Sequence, residues 1–290
     1  MGRYLLLAVT LAACYDPTVP QGVVCTVPDG ICPPGQTCGA DGLCSTNGSP
    51  PAPVPDASLP GAPPPDAPDG GASSSLPAWH LVQAQAAANG NLGGLASLAA
   101  TLTATMAGDL LVVGVQVAHG GTITSVTDNA PGGTSTFTAI PGSEATNTQG
   151  DGGIELWYTP SLNAGATAVT ATATTSGASI YTVVAWEVAT AQPATVDTVM
   201  ELSNQASSTT LTAPAVTTQA PGELVIAIGI AANDVNALAA GSEFTNDTLA
   251  NGNGWAHITS TTAAAGAHQA VWDTSAGTSC STAVAFHVGE

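Results

Sequence analysis

Residues 79–290 are predicted to form an all-β fold, a two-sheet antiparallel β-sandwich of jelly-roll or immunoglobulin-like type with a weak internal repeat. Three features of the chain predict it. Short β-branched runs recur, among them Leu110-Leu111-Val112-Val113-Gly114-Val115, Tyr181 to Val188 and Leu224-Val225-Ile226-Ala227-Ile228. Each is bounded by Gly, Pro, Asn or Thr, and turn residues return about every 8 to 15 positions. The apolar positions follow no helical period, so the alanine-rich stretches Gln83 to Ala88 and Leu95 to Ala100 are read as strand or loop.

The segment ahead of this region begins with an apolar stretch from Tyr4 to Ala13. That stretch is too short for a membrane span, which needs roughly 20 apolar residues. With Arg3 before it and small residues after it, it reads as a secretory signal, residues 1–13. Leu11-Ala12-Ala13-Cys14 resembles the bacterial lipobox, and the resemblance implies that Cys14 is acylated and becomes the first residue of a lipid-anchored N-terminus, 14–24. The alternative is an ordinary signal cut elsewhere, with Cys14 in a disulfide.

Charge points to export as well. The single Lys or Arg of the 290 residues is Arg3, and losing it takes the formal net charge from −19 to −20. A surface without cations repels phosphate backbones and anionic headgroups, which excludes nucleic acid as a partner and leaves the bilayer reachable only through the lipid on Cys14.

Residues 25–44 hold Cys25, Cys32, Cys38 and Cys44 with four glycines and little apolar bulk. So short a segment is stabilised by cross-links, and two disulfides in an oxidising compartment suit it. Zinc is the competing ligand of four thiolates, but structural zinc sites carry Cys pairs two to four residues apart, a spacing this segment lacks. Four cysteines allow three pairings. The run C-P-P-G-Q-T-C-G-A-D-G-L-C resembles the loosely EGF-like Cys-rich modules that follow the anchor in exported bacterial lipoproteins.

Residues 45–78 form a Pro/Ala/Ser-rich linker, with ten of the chain's 21 prolines. It lacks apolar residues for a core and is expected as a disordered, partly polyproline II spacer.

Within the sandwich, Gly108-Asp109-Leu110-Leu111-Val112-Val113 is echoed by Gly222-Glu223-Leu224-Val225-Ile226-Ala227, and Val184-Ala185-Trp186-Glu187-Val188 by Val284-Ala285-Phe286-His287-Val288. Two immunoglobulin-like halves would satisfy the repeat. One sandwich with interleaved halves is preferred, because no evident linker separates them and neither half carries many aromatics. The ordered motifs G-D-L-L-V-V, E-L-W-Y, V-V-A-W-E-V and P-G-E-L-V-I resemble a family of extracellular bacterial β-sandwich domains found on large surface proteins. That resemblance implies the fold and no activity.

No nucleophile elbow, zincin or phosphate-loop motif occurs, so the chain is expected not to be an enzyme. Asp151, Glu155, Glu187 and Glu223 are the acids open to a glycosidase pair. Glu187 and His287 fall at matching places of the repeat and are expected to face solvent. Calcium is the candidate ion for the sandwich loops, at Asp128 and Asp151, against the plainer role of such residues in turns.

For sugar binding, Asn251-Gly252-Asn253-Gly254-Trp255 offers Trp255 beside Asn251 and Asn253, and Trp157 is a further aromatic; otherwise Trp255 caps the core. Cys280 is expected as a buried reduced thiol, with a disulfide to the Cys module as the alternative. The expectation for the whole chain is an exported lipoprotein of the outer membrane or cell surface, recognising a polysaccharide or a surface protein. A glycan hydrolase and a structural envelope component are the alternatives.

Overall fold

The computed structural model describes residues 79–89, 95–118, 121–149, 152–174, 180–248, 252–258 and 265–288, and the backbone of two short strands before them. Cys14, Cys25, Cys32 and most of the linker lie outside the described residues. Contacts divide the chain into two units, Met1–Gly71 and Ala72–Glu290. In the first, β1 (Thr37–Cys38) pairs antiparallel with β2 (Cys44–Ser45), in a register that sets Cys38 opposite Cys44.

The second unit is an antiparallel β-sandwich, and no α-helix occurs among its described residues. Its first repeat comprises β3 (His80–Ala88), β4 (Ser97–Thr101), β5 (Leu110–Val117), β6 (Ile123–Asp128), β7 (Thr138–Ala139), β8 (Ala145–Asn147), β9 (Gly152–Thr159), β10 (Ala168–Ala173) and β11 (Ile180–Ala189). The second comprises β12 (Ala194–Thr212), β13 (Val216–Thr217), β14 (Leu224–Ala231), β15 (Val235–Leu238), β16 (Thr245–Thr248), β17 (Gly254–Ile258), β18 (Ala267–His268) and β19 (Val271–Val288). The alanine-rich stretches are thus strands β3 and β4.

The large sheet of the first repeat runs β3-β11-β5-β9-β7, and that of the second runs β12-β19-β14-β17-β16. Position for position these are the same sheet. The small sheet β4-β10-β6 has its counterpart where the long strands β12 and β19 run on, with Thr212 opposite Val271 and β15 alongside at Leu238 opposite Trp272.

Among the described residues, no ladder joins a strand of one repeat to a strand of the other. Each sheet thus takes its strands from one repeat only, so the halves are not interleaved within a sheet as the sequence reading preferred, and residues 190–193 join them. The linker was missed because it is only four residues long and holds a single Pro.

The two large sheets face each other. Leu110, Val112, Ile154, Leu156, Val184 and Trp186 of one meet Leu224, Ile226, Ile228, Trp255, Val284 and Phe286 of the other. Each large sheet then packs its second face on its own small layer, through Val113, Val115, Val169 and Val183 in the first repeat and Val225, Ala227, Leu211 and Trp272 in the second. Both β5 and β14 are buried on both faces, which is why they read as unbroken apolar runs instead of alternating ones. The aromatics that the sequence reading found too few for two cores serve the space between the repeats, where Trp186 and Trp255 meet as a tilted pair at 6.0 Å and Tyr158 meets Phe286 at 5.7 Å.

Ladder register also corrects the repeat. Leu110 pairs with Val188 and Leu224 with Phe286, so the counterpart of Trp186 is Val284 and that of Glu187 is Ala285. The sequence match of Trp186 with Phe286 is slipped by two residues. A slip of two keeps every side chain on its face, so the apolar pattern cannot reveal it.

Candidate functional site

Polar groups gather at three places, and in each the strand that carries the side chain explains its position. The first lies between the repeats. Asp247, on β16, accepts a hydrogen bond at 2.7 Å from the Trp186 indole of the other repeat and sits 2.7 Å from His257 Nδ1. The Asp247 and His257 side chains are only 3% and 6% exposed. Close by, Gln116 Oε1 accepts from Thr182 Oγ1 at 2.9 Å and from Asn253 Nδ2 at 2.7 Å, the second bond again crossing between repeats. Trp79 Nε1 donates to Gly222 O at 2.6 Å, and Asn147 Nδ2 to Thr278 Oγ1 at 3.3 Å. These groups satisfy buried polar atoms while fixing how the two sheets meet.

The second place is the turn that enters the central strand of each repeat. Gly108 and Gly222 take φ of 91° and 78°, a left-handed conformation that suits glycine, and an acid follows each. Glu223 Oε1 accepts from the N–H groups of Gln219 at 3.0 Å and Ala220 at 2.8 Å. In the first repeat the loop is held by Glu187, which accepts from the Met106 N–H at 2.9 Å and from the Gln83 amide. Gln83 in turn exchanges two hydrogen bonds with the backbone of Thr103. Burial first, then the Glu187 carboxyl, pushes the Asp109 pKa up, with His80 opposing. Glu223 is likewise raised, by burial and by Asp197, against the backbone N–H groups that hold it down.

The third is a small cavity of about 80 Å³ at one end of the first repeat, lined by Val117, Ile123, Glu144, Gly153, Ile154 and Glu155 among others. Burial pushes Glu155 up to about 6, the nearby Trp157 indole pulls it partly back and Glu144 adds like charge. The Trp157 Nε1 nevertheless completes no hydrogen bond of normal geometry.

The structure redistributes the residues singled out in the sequence. Trp255 is fully buried between the repeats, and Asn253 is buried on Gln116, so neither offers a surface to a sugar. Trp255 fails as a platform because β17 lies second from the sheet edge with its indole aimed at the opposing sheet. Trp157 is half-buried against the core of its own repeat. Asn251 and Asp151 lie outside the described residues.

Asp128 is buried, and its carboxylate accepts from the N–H groups of Ala130 and Ser135 at 3.2 Å, the turn role named beside calcium. Among the described residues no three His, Cys, Asp or Glu stand together to hold a metal ion. Glu187 is fully buried instead of solvent-facing, because the face opposite Trp186 is covered by the small sheet. Alternation placed it on the correct face and missed the layer above. His287, by contrast, is half-exposed and lies 3.0 Å from Thr195 Oγ1. Cys280 is buried, as expected, with its Sγ 3.6 Å from Ala145 O.

Sequence reasoning missed Asp247, His257 and Gln116. None belongs to a motif: Gln116 and His257 are single polar residues inside apolar strands and Asp247 lies in a short polar one, and only the pairing of the two repeats brings them together.

One surface stands apart from the chain's acidity. The outer face of β4-β10-β6 carries Ser97, Thr172 and Ser125 in one row and Ala99, Thr170 and Thr127 in the next. It is uncharged and lined with hydroxyls. No protein-family model, curated protein or solved structure matches the chain.

Proposed function

We propose that the chain is an exported lipoprotein, anchored through Cys14 and carrying its double sandwich on the Pro-rich stretch to recognise a neutral polysaccharide at the cell envelope. The observation that carries the recognition step is the hydroxyl-lined outer face of β4-β10-β6. Ser and Thr hydroxyls both donate and accept, which suits sugar hydroxyls, and an uncharged face on a strongly acidic chain favours a neutral polymer over an anionic one. The lipobox-like Leu11-Ala12-Ala13-Cys14 and the linker support the anchored placement. In the Cys-rich module, two disulfides among Cys25, Cys32, Cys38 and Cys44 suit the exported placement.

The test combines placement and binding. Full-length protein is expected in the envelope fraction with lipid label, and Cys14→Ser unlabelled. In a polysaccharide panel, neutral polymers are expected to bind, and Thr170→Glu to abolish that binding by placing a charge in the middle row. Retention by Thr170→Glu at the parent's level removes this face from the proposal.

One observation favours the hydrolase as a second reading. Glu155, held at about 6 beside Glu144, has the protonation balance of a general acid near neutral pH. Release of reducing ends from the same panel, lost in Glu155→Gln, would establish it over simple recognition.

A further inference from the structure

Asp109 and Glu223 occupy the same place in the two repeats, directly before the first residue of the central strand, and both are nine-tenths buried or more, at 8% and 4% exposed. Each keeps one carboxylate oxygen without a donor, Oδ2 of Asp109 and Oε2 of Glu223. Each also lies against a second carboxyl, that of Glu187 on β11 in the first repeat and that of Asp197 on β12 in the second.

The partners come from different strands. Asp197 is the bulged residue between Val196 and Thr198, and Val82 holds the matching bulge of β3, so the first repeat recruits Glu187 instead. The same juxtaposition has thus been assembled in two ways. An acceptor facing an acceptor is repulsive in a poorly solvated site, and it becomes a hydrogen bond only when one carboxyl carries a proton.

The surroundings supply no substitute for that proton. Around the first pair stand Gln83 and the Met106 N–H, both on Glu187, and His80 from β3. Around the second stand the Gln219 and Ala220 N–H groups on Glu223 Oε1 and the Thr198 hydroxyl on Asp197 Oδ2. Neither Lys nor Arg occurs after Arg3.

We propose that each repeat holds one proton between two carboxyls, Asp109 with Glu187 and Glu223 with the half-buried Asp197, making the double sandwich an acid-stabilised fold whose two repeats loosen as the proton leaves.

The sign follows from linkage. Asp109 and Glu223 are both raised above ordinary carboxyl values, so between the unfolded and folded values the native state binds more protons than the unfolded chain. Stability is then greatest below the unfolded values near 3.8 and 4.5 as far as these groups are concerned, and falls as pH rises through the folded ones.

The experiment is thermal unfolding of the full-length chain from pH 5 to pH 8.5. Glu155→Gln serves as the background, because Glu155 slopes the same way. Asp109→Asn and Glu223→Gln each put an amide N–H where the shared proton sits, preserving the hydrogen bond without the titration. The background protein is expected to lose stability with rising pH, each variant to keep only roughly half of that loss, and the double variant to be nearly flat.

A double variant that falls as steeply as the background overturns the proposal. If a variant does not fold, infrared titration of the background protein decides. A protonated-carboxyl band that persists above the ordinary carboxyl range supports the shared proton, and complete loss of the band within that range overturns it.

Discussion

A chain whose only cationic side chain of fixed charge is Arg3 cannot balance a buried carboxylate with lysine or arginine, yet Asp109, Asp128, Glu187 and Glu223 are all buried, as is the side chain of Asp247. An isolated buried charge is expensive, so each needs another partner. Asp128 takes backbone N–H groups, Glu187 an amide and a backbone N–H, Glu223 two backbone N–H groups, and Asp247 an indole and an imidazole. Asp247→Ala removes the acceptor from two buried donors that belong to opposite repeats. It is expected to cost about 3 kcal/mol in urea unfolding, because what remains is unpaired polar atoms in a dry interface. Trp186→Phe deletes one donor together with its need for a partner, and should cost less.

At the scale of strands, glycine marks the closest approaches. A Cβ on Gly114 would stand 2.5 Å from Ile228 Cδ1 and 2.8 Å from Trp255 Cζ3, so β5 can receive the opposing sheet only without a side chain there. Gly254 does the same for Trp272 within its own repeat. Gly114→Ala is expected to destabilise by ~2 kcal/mol through overpacking, while Gly132→Ala, which meets nothing within 4 Å, changes stability little. Thermal or chemical unfolding of the pair of variants checks both. The strands themselves were legible: β5, β11 and β14 were read from their β-branched runs, and G-D/E-L correctly marked the start of each central strand. Their layering was not, since a residue such as Glu187 alternates the same way whether its face meets water or another sheet.

Within the second unit, Ala72–Glu290, the two repeats pack into one compact whole. Apolar residues from both repeats form a continuous core between the large sheets, pinned by Trp79 on Gly222, Asn253 on Gln116 and Trp186 on Asp247. Thr148 N–H and Oγ1 both donate to Asn204 Oδ1 at 2.8 Å, adding an edge contact at the one described non-glycine residue with positive φ. If a protease site replaces residues 190–193, the cut halves are expected to co-elute in size-exclusion chromatography. Separation after cleavage would mean that the connection, and not the core, holds them together.

Sequence alone determined what depends on local order: the β class from the spacing of branched residues and turns, the existence of a repeat, and the acidic composition. Tertiary structure decided what depends on which faces meet. It took Trp255 and Asn253 from a supposed ligand loop into the core, buried Glu187, and brought Asp247 and His257 to Trp186. The physical reason is that period-two alternation states which residues share a face, while the partner of that face is chosen by shape and burial across residues far apart in the chain.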